Sequence, residues 1–352
     1  WMREIPAEVF RNGCYRYRRA VIKCAQGAGA PQRKSRAGTQ SALLTKELFE
    51  IRDGKLKIKS RMMNLGIVRW VPHREYEPPN MVSISQGPDG KWFIGFSFDD
   101  GAKPPKPEMA QSEDEILGVD LGIANAVYKS DGKTIHPSEQ SIARYQTRER
   151  RAKILQRRMA KQQRNSTNRR KNKKRLATVR ARQANARRDF AHKASFQLCQ
   201  TKRKAIAFEN IRLTNMTRRP KPKLSESGTG FAPNGARAKA GLNKALLNQS
   251  LGLIRSLSRQ KAAKFGKAFI VVEAARSSQE CRRCHFTSPD NRKSQAEFIC
   301  QACGHTDHAD HNSSHIIAQR ALDLIRQELT AHACRGGHCP PMTQEAPPVR
   351  KW

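Results

Sequence analysis

The stretch Ile116-Leu-Gly-Val-Asp120-Leu-Gly-Ile123 decides how this chain reads. Four apolar or glycine residues in a row, ending on a carboxylate, have the composition of a strand buried on both faces. A second run, Ala124–Lys129, follows at once, and Asp131-Gly132 turns the chain into a third at Thr134-Ile135. The same pattern recurs at Ala205-Ile-Ala-Phe-Glu209, again an apolar strand ending in an acid. A helix near 238–265 then leads to another strand, Phe269-Ile-Val-Val-Glu273. A meander that opens a series of alternating strands and helices predicts an α/β layer.

That layer resembles ribonuclease H, and a third acid stands ready to join Asp120 and Glu209. Downstream lies Cys281-Arg-Arg-Cys284, then fifteen residues, then Cys300-Gln-Ala-Cys303, followed by His308-Ala-Asp310-His-Asn312. C-x2-C-x15-C-x2-C is the spacing of a four-thiolate zinc site. Each C-x2-C makes a tight knuckle that aims two sulfurs at one ion, which accepts four ligands tetrahedrally. Two disulfides would suit a small secreted domain, not a chain this long and basic. Cys14, Cys24, Cys199, Cys334 and Cys339 show no paired metal spacing and read as reduced bystanders of a cytoplasmic protein. His285, His305, His308, His311 and His315 crowd the same region, but four thiolates already complete the zinc shell, so these histidines are expected to contact nucleic acid or water.

Composition bounds the partner. The 352 residues hold 68 Lys+Arg against 30 Asp+Glu, a formal net charge of +38 that calls for a polyanion. A membrane surface is the weaker choice, because no apolar stretch of about 18 residues appears. No signal peptide is visible. The chain starts at Trp1 rather than at Met, so residues upstream are expected to be missing. Its length suggests two or three domains.

The charge is concentrated. From Gln146 to Lys204 there are 22 Lys/Arg and two acids, Glu149 and Asp189, with no Pro or Gly. Apolar residues recur there at helical spacing: Ile154, Leu155 and Met159, then Leu176 and Val179, then Phe190, Ala194 and Leu198. Asn165-Ser-Thr-Asn168 reads as the turn of a helical hairpin. A disordered arm would lack the stripe, and a merely solvated face would not need such density. The reading is a helical pair lying along phosphates, through Arg150, Arg151, Arg157, Arg158, Lys161, Arg169, Arg170, Lys173, Lys174 and Arg175.

The rest of the chain divides as follows. Residues 3–26 read as a helix and 32–45 as a basic, loop-like connector. Short alternating runs at Phe49–Ile51, Leu56–Ile58, Gly66–Trp70, Met81–Gln86 and Lys91–Ser97, with hairpin turns at Asp53-Gly54 and Asp89-Gly90, read as a small β-barrel over 46–98. A linker occupies 99–113, and an α/β core with its basic helical hairpin (139–204) occupies 114–274. The zinc ribbon takes 275–306, while residues 212–236 of the preceding core are polar, rich in Pro and Gly and expected to be flexible. A last helix covers about 309–328, and a disordered tail fills 331–352.

Phosphodiester hydrolysis gives these acids a purpose. Two divalent cations about 3.5–4 Å apart activate the attacking water and stabilise the leaving oxygen. Mg²⁺ prefers carboxylate oxygens and retained waters. An acid on a central strand, a second on its neighbour and a third at a helix start form the clamp that such a pair needs. Alone, each acid would be a solvated residue or a helix cap; together, with the ribbon between the second and third, they point to a nuclease.

Gly118-Val-Asp120-Leu-Gly-Ile resembles the first RuvC motif of the TnpB proteins, transposon-encoded RNA-guided DNA endonucleases related to compact type V CRISPR effectors. Ala207-Phe-Glu209-Asn-Ile resembles their second motif. Ser277-Ser-Gln279-x-Cys281 through Cys303-Gly304, then Ala309-Asp310-His-Asn312, resembles their zinc ribbon and third motif, and Asn291-Arg-Lys-Ser-Gln295 between the knuckles is similar as well. The likeness covers about residues 3–330. It departs in Asp310-His-Asn312-Ser-Ser, where the family reads Asp-x-Asn-Ala-Ala; the residues stay small and the acids are kept.

The resemblance implies a RuvC-type α/β core with an inserted zinc ribbon, part of a helical recognition lobe over 1–45 and part of a wedge barrel over 46–98, whose first strand region is absent. It implies Asp120, Glu209 and Asp310 as catalytic ligands of Mg²⁺ or Mn²⁺, and Cys281, Cys284, Cys300 and Cys303 as ligands of structural Zn²⁺. It implies a guide RNA that reads double-stranded and then single-stranded target DNA beside a short motif, at the nucleoid of a prokaryotic cell. A compact CRISPR effector shares every one of these residues. A silent RNA-guided repressor should have lost at least one acid. A DNA-strand transposase would want a recombinase Tyr or acids placed for strand transfer, which nothing in the chain supplies.

Overall fold

The computed structural model describes residues 7–32, 40–59, 66–73, 75–99, 101–225 and 229–336. The chain divides into two compact units, residues 1–103 with 139–185, and residues 104–138 with 186–352.

The first unit begins with helix α1 (Ala7–Ala25) and continues through β1 (Gln40–Thr45), β2 (Phe49–Arg52), β3 (Lys55–Ile58), β4 (Ile67–Arg69), β5 (Met81–Gln86) and β6 (Trp92–Ser97). These strands form two three-stranded antiparallel sheets, β1-β5-β6 and β2-β3-β4, rather than one closed barrel among the described residues. Leu44, Leu48, Phe49, Leu56 and Val82 fill one core shared by both. Asp53 and Gly54 join β2 to β3 with φ of 49° and 65°. Positive φ at both residues is the hairpin turn that suits twisted strands, and Asp-Gly tolerates it. The connector reading of 32–45 missed β1. Its alternation is masked by Gln40, Ser41 and Thr45, and only Leu44 is fully buried; pairing with β5, not composition, makes it a strand.

Helices α2 (Glu139–Lys161) and α3 (Thr167–Cys199) form the basic hairpin. Ala152, Leu155 and Val179 pack between them. The chain reverses at Asn165, which takes the left-handed conformation (φ 67°) that Asn accepts more readily than most residues. Glu149, one of only two acids in the stretch, is half-buried between the helices, where Arg180 (2.7 Å) and Gln183 (3.0 Å) both donate to it.

The second unit is built on β7 (Ile116–Asp120), β8 (Val127–Lys129), β9 (Thr134–Ile135), β10 (Ala205–Glu209) and, after α4 (Leu213–Met216), β11 (Lys223–Leu224), β12 (Phe231–Ala232), α5 (Ala236–Gln249) and α6 (Leu251–Lys264), on β13 (Ala268–Val272). The sheet order is β13-β10-β7-β8-β9. The meander β7-β8-β9 is antiparallel, and β10 runs parallel to both β7 and β13. Both faces of the central strands are covered. Leu117, Val119, Ile206 and Phe208 face Ala191, Ala194 and Leu198 of α3 and Ile254 of α6. Ile116, Ala205, Ala207 and Val272 face a last helix, α7 (Ala309–Gly336), through Ile317, Ala318, Ala321 and Ile325. Burial on two faces is why these strands read as unbroken apolar runs.

Three further elements differ from the sequence reading. The helix expected over 238–265 is two helices, because Ser250 adopts a left-handed conformation (φ 57°) between α5 and α6. Residues 212–236 hold α4 and the short β11–β12 ladder. The last helix continues to Gly336, so that part of the expected tail is helical, while residues 337–352, with Cys339, lie outside the described residues.

Candidate active site

Register brings the first two acids together. Val119 is paired with Phe208, so one residue further along both parallel strands Asp120 stands beside Glu209. Asp310 enters from the first turn of α7, which packs on β7. Gly118 sets how near that helix comes: a Cβ there would lie 1.9 Å from the Ser314 carbonyl oxygen.

Asp120 feels both of the other carboxylates. Burial pushes Asp120 up to about 7, and the charges of Glu209 and Asp310 push in the same direction, against the pull of Arg292 and the Leu121 amide. Burial also raises Glu209, opposed by the Ser277 hydroxyl, which donates to its carboxylate, and by Arg320 and Arg292. The Glu209 strand end is fixed from behind by Arg255, which donates to the carbonyls of Glu209 (3.1 Å) and Ile211 (3.4 Å). Burial first, and repulsion after it, hold a proton on Asp120 near neutrality, and a nearby cation would oppose both.

The sequence reading did not single out Arg292, which the structure places beside the acids. Its guanidinium lies 3.6 Å from Asp310, and its charge also reaches Asp120 and Glu209. The neighbouring Asn291 is fully buried and explains the placement. Its amide donates to the carbonyls of Gln279 (2.8 Å) and Phe286 (3.0 Å), and its oxygen accepts from the Gln301 amide (2.9 Å). Asn291 thus pins the ribbon and Arg292 projects from it. The available signal was the Asn291–Gln295 segment itself.

The ribbon brings all four thiols together. Their sulfur atoms lie within 4.8 Å of one another, with Cys281 and Cys303 at 3.7 Å and Cys284 and Cys300 at 3.5 Å. Those edges are far longer than a disulfide's roughly 2.05 Å and close to the ~3.8 Å edge of a tetrahedron with 2.3 Å zinc–sulfur bonds. The two knuckles repeat one geometry: His285 donates its amide to the Cys281 carbonyl (2.9 Å), Gly304 to that of Cys300 (3.0 Å), and both residues have positive φ. Among the described residues this is the set of His, Cys, Asp and Glu ligand atoms that converges to that distance.

Asn312 joins the ribbon to the acid site. Fully buried, it accepts from the Arg282 amide in the first knuckle (3.0 Å) and donates to the Glu280 carbonyl (2.7 Å). The histidines expected to face nucleic acid or water have protein partners. His305 and His311 flank Asp307, His315 meets Glu113 at 2.7 Å, and His285 meets Glu280 at 3.1 Å. His308 stacks on Tyr128 (5.1 Å, 12°) and accepts from the Asp310 amide (3.2 Å). Tyr128 is itself paired with Asp120 across β7 and β8.

In the other unit, nine of the ten singled-out basic residues are exposed: Arg150, Arg151, Arg157, Arg158 and Lys161 on α2, and Arg170, Lys173, Lys174 and Arg175 on α3. Arg169 differs. It is half-buried and donates to the carbonyls of Met159 and Gln162, closing the turn between the helices. No helix among the described residues is long and apolar enough to cross a membrane.

Comparison with known proteins bears on both halves of this site. Residues 102–219 match the family described as "Probable transposase" (OrfB_IS605), and residues 252–317 match "Cas12f1-like, TNB domain". The chain is 26% identical over 319 residues to "Putative RNA-guided DNA endonuclease InsQ" of Escherichia coli K12, covering 89% of this chain and 74% of that protein. It is 27% identical to "Putative RNA-guided DNA endonuclease" of Streptomyces pristinaespiralis, covering 87% of this chain and 66% of that one. The solved Cas12f1–sgRNA–target DNA complex shares the fold, with a TM-score of 0.50 and 12% identity over 89% of this chain and 70% of that one.

Proposed function

We propose that the chain, which matches the OrfB-type transposase family over residues 102–219 and the Cas12f1-like TNB domain over 252–317, is a member of the family that includes the TnpB proteins and an RNA-guided DNA endonuclease of the RuvC type. The observation that carries the proposal is the meeting of Asp120, Glu209 and Asp310 with Arg292 at one end of a central sheet. In this reading the three acids hold Mg²⁺ or Mn²⁺, which supplies an activated water and a stabilised leaving oxygen. Asp120, whose carboxylate feels the charges of both other acids, would be one of the ligands. Ser277 orients Glu209, and Arg292 offers a guanidinium to phosphate oxygens.

The thiolates of Cys281, Cys284, Cys300 and Cys303 hold structural Zn²⁺. The ribonuclease H-like order of the sheet, with its parallel β10 beside a three-stranded meander, supports the RuvC assignment. The paired sheets over 46–98 serve as the wedge and α1 as part of the recognition lobe. The exposed cations of α2 and α3 lie along nucleic-acid phosphates, their charge reading backbone rather than sequence. Guide RNA supplies the sequence, and the target is duplex DNA carrying a short flanking motif. Action at the nucleoid follows from the substrate.

Plasmid cleavage by the purified RNA complex tests this. Cutting should need bound RNA, a matching target and the flanking motif. Asp120→Ala, Glu209→Ala and Asp310→Ala should each abolish it while RNA binding persists. A variant that keeps more than a few per cent of activity removes its residue from the site, and equal cutting of matched and mismatched plasmids without RNA refutes guidance.

A further inference from the structure

The segment that follows Glu209 holds a feature that neither the acid site nor the ribbon uses. Between residues 210 and 248 there are eight Lys and Arg and one acid, Glu226. Amid that charge, β11 and β12 pair so that Leu224 stands opposite Phe231. Both side chains are exposed, by 72% and 73%. Two large apolar groups side by side in water on so short a ladder add nothing to a core.

The ladder is fastened rather than loose. Asn234 donates to the Lys221 carbonyl (2.8 Å), Lys239 to that of Met216 (2.7 Å) and Asn243 to that of Thr217 (2.8 Å), tying the incoming limb to α5 and its approach. The root is held by Arg255 at the carbonyls of Glu209 and Ile211. A cationic arm therefore springs from a catalytic strand and presents a Leu–Phe pair to solvent.

We infer that the Leu224–Phe231 pair is a stacking platform for an unpaired base of the single-stranded DNA that the acid site cuts, an inference resting on the nuclease reading above. Every base has a flat π-face, so an aromatic beside an aliphatic side chain holds it without reading sequence. Flanking cations such as Arg218, Arg219, Lys221 and Lys223 match the phosphates on either side. They fit a protein partner poorly, since charge is depleted at the centres of protein interfaces. Chain continuity with Glu209 points to the strand being cut.

The test uses the full chain purified with its RNA, without added Mg²⁺ or Mn²⁺ so that no cutting occurs and the ribbon's zinc is not chelated, and a single-stranded deoxyoligonucleotide carrying 2-aminopurine. Binding should quench the probe. Phe231→Ala should weaken binding by about fivefold or more, the lower range of one base–aromatic stack, and abolish the quench. Phe231→Trp should keep both. RNA retention and melting temperature should not move, because the side chain is exposed. With Mg²⁺ restored, Phe231→Ala should raise KM for a matched target with little change in kcat. Wild-type affinity and quenching in Phe231→Ala overturn the inference. So does loss of RNA with oligonucleotide binding intact, which would assign the arm to the guide. Wild-type protein that binds and quenches but never cuts would refute the nuclease reading while supporting the platform.

Discussion

Replacing Gly118 by Ala should disable the site without touching an acid. The added Cβ would meet the Ser314 carbonyl oxygen at 1.9 Å and the Ala318 amide nitrogen at 3.0 Å. Both are backbone atoms of α7, so no rotamer change relieves the clash. Real Cβ atoms essentially never approach closer than 3.0 Å, which means that helix and strand must part by about 1.1 Å. Asp310 lies one turn before Ser314 on that helix. A displacement of about 1 Å in a catalytic group can cost about 10²-fold in rate. Overpacking of this kind also destabilises by about 1–3 kcal/mol, since Ile317, Ala318 and Ala321 would lift off Ile116 and Ala205.

The assay is single-turnover plasmid cleavage by the RNA complex, alongside a thermal melt. Gly118→Ala should cut about a hundredfold more slowly and melt several degrees lower, by the usual ~2–4 °C per kcal/mol for chains of this order. Gly241→Ala is the control: it sits within α5 with nothing within 4 Å of the added carbon, and should be neutral or slightly stabilising. Cutting by Gly118→Ala within threefold of wild type, at an unchanged melting temperature, would refute the claim that this backbone contact sets the position of Asp310.

Other consequences can be measured directly. Because Asp120 is raised from 3.8 to about 7, the metal-free folded state binds its proton more tightly than the unfolded chain. Its contribution, at most about 4 kcal/mol, is present below pH ~4 and lost as pH climbs to about 7. Metal-free melting temperature should therefore fall across that window less steeply in Asp120→Asn, and apparent Mg²⁺ affinity should drop as pH falls below 7. Equal slopes for the two proteins would discount the shift. Arg292→Ala should slow cutting by about 10²–10³-fold, as loss of one preorganised electrostatic donor does, and move the pH profile upward, since the guanidinium holds Asp120 and Glu209 down; an unmoved profile would place Arg292 outside the site. Elemental analysis should find about one zinc per chain, and Cys281→Ser should lose both zinc and cleavage; a zinc-free variant that still cuts would separate ribbon from catalysis.

Much of this fold was legible because its strands are buried on both faces. Ile116–Asp120 and Ala205–Glu209 are unbroken apolar runs, so composition alone marks them, and the acids stand out as the first polar residues beyond. The cysteines were legible through spacing. The elements that escaped take their identity from partners. β1 exists because β5 pairs with it. The break at Ser250 is a backbone conformation with no Gly or Pro to announce it. Arg292 is one arginine among many in a chain of net charge +38, and only Asn291, buried at the centre of the ribbon, singles it out. The crowding of the histidines was visible, but not that Asp307, Glu113 and Tyr128 lie beside them.

The ribbon and the acid site are best understood as one object. Asn312 is two residues beyond Asp310 and is spent wholly on the first knuckle, accepting from Arg282 and donating to Glu280. Gln319, two turns further along α7, donates to the Arg282 carbonyl (3.1 Å), and Arg320 reaches the Glu280 carboxylate (2.6 Å). The second knuckle is tied to Asn291, whose neighbour Arg292 returns to Asp310. A closed circuit thus runs from thiolates through two asparagines to a carboxylate and the cation beside it. Four thiolates would complete the zinc shell, leaving zinc no step in the proposed phosphodiester hydrolysis. In the proposed reading, zinc held by the four thiolates would make rigid the short loops that carry Arg292 and lead into the first turn of α7 with Asp310, which loops of this length, with so little apolar core of their own, would not achieve from packing alone.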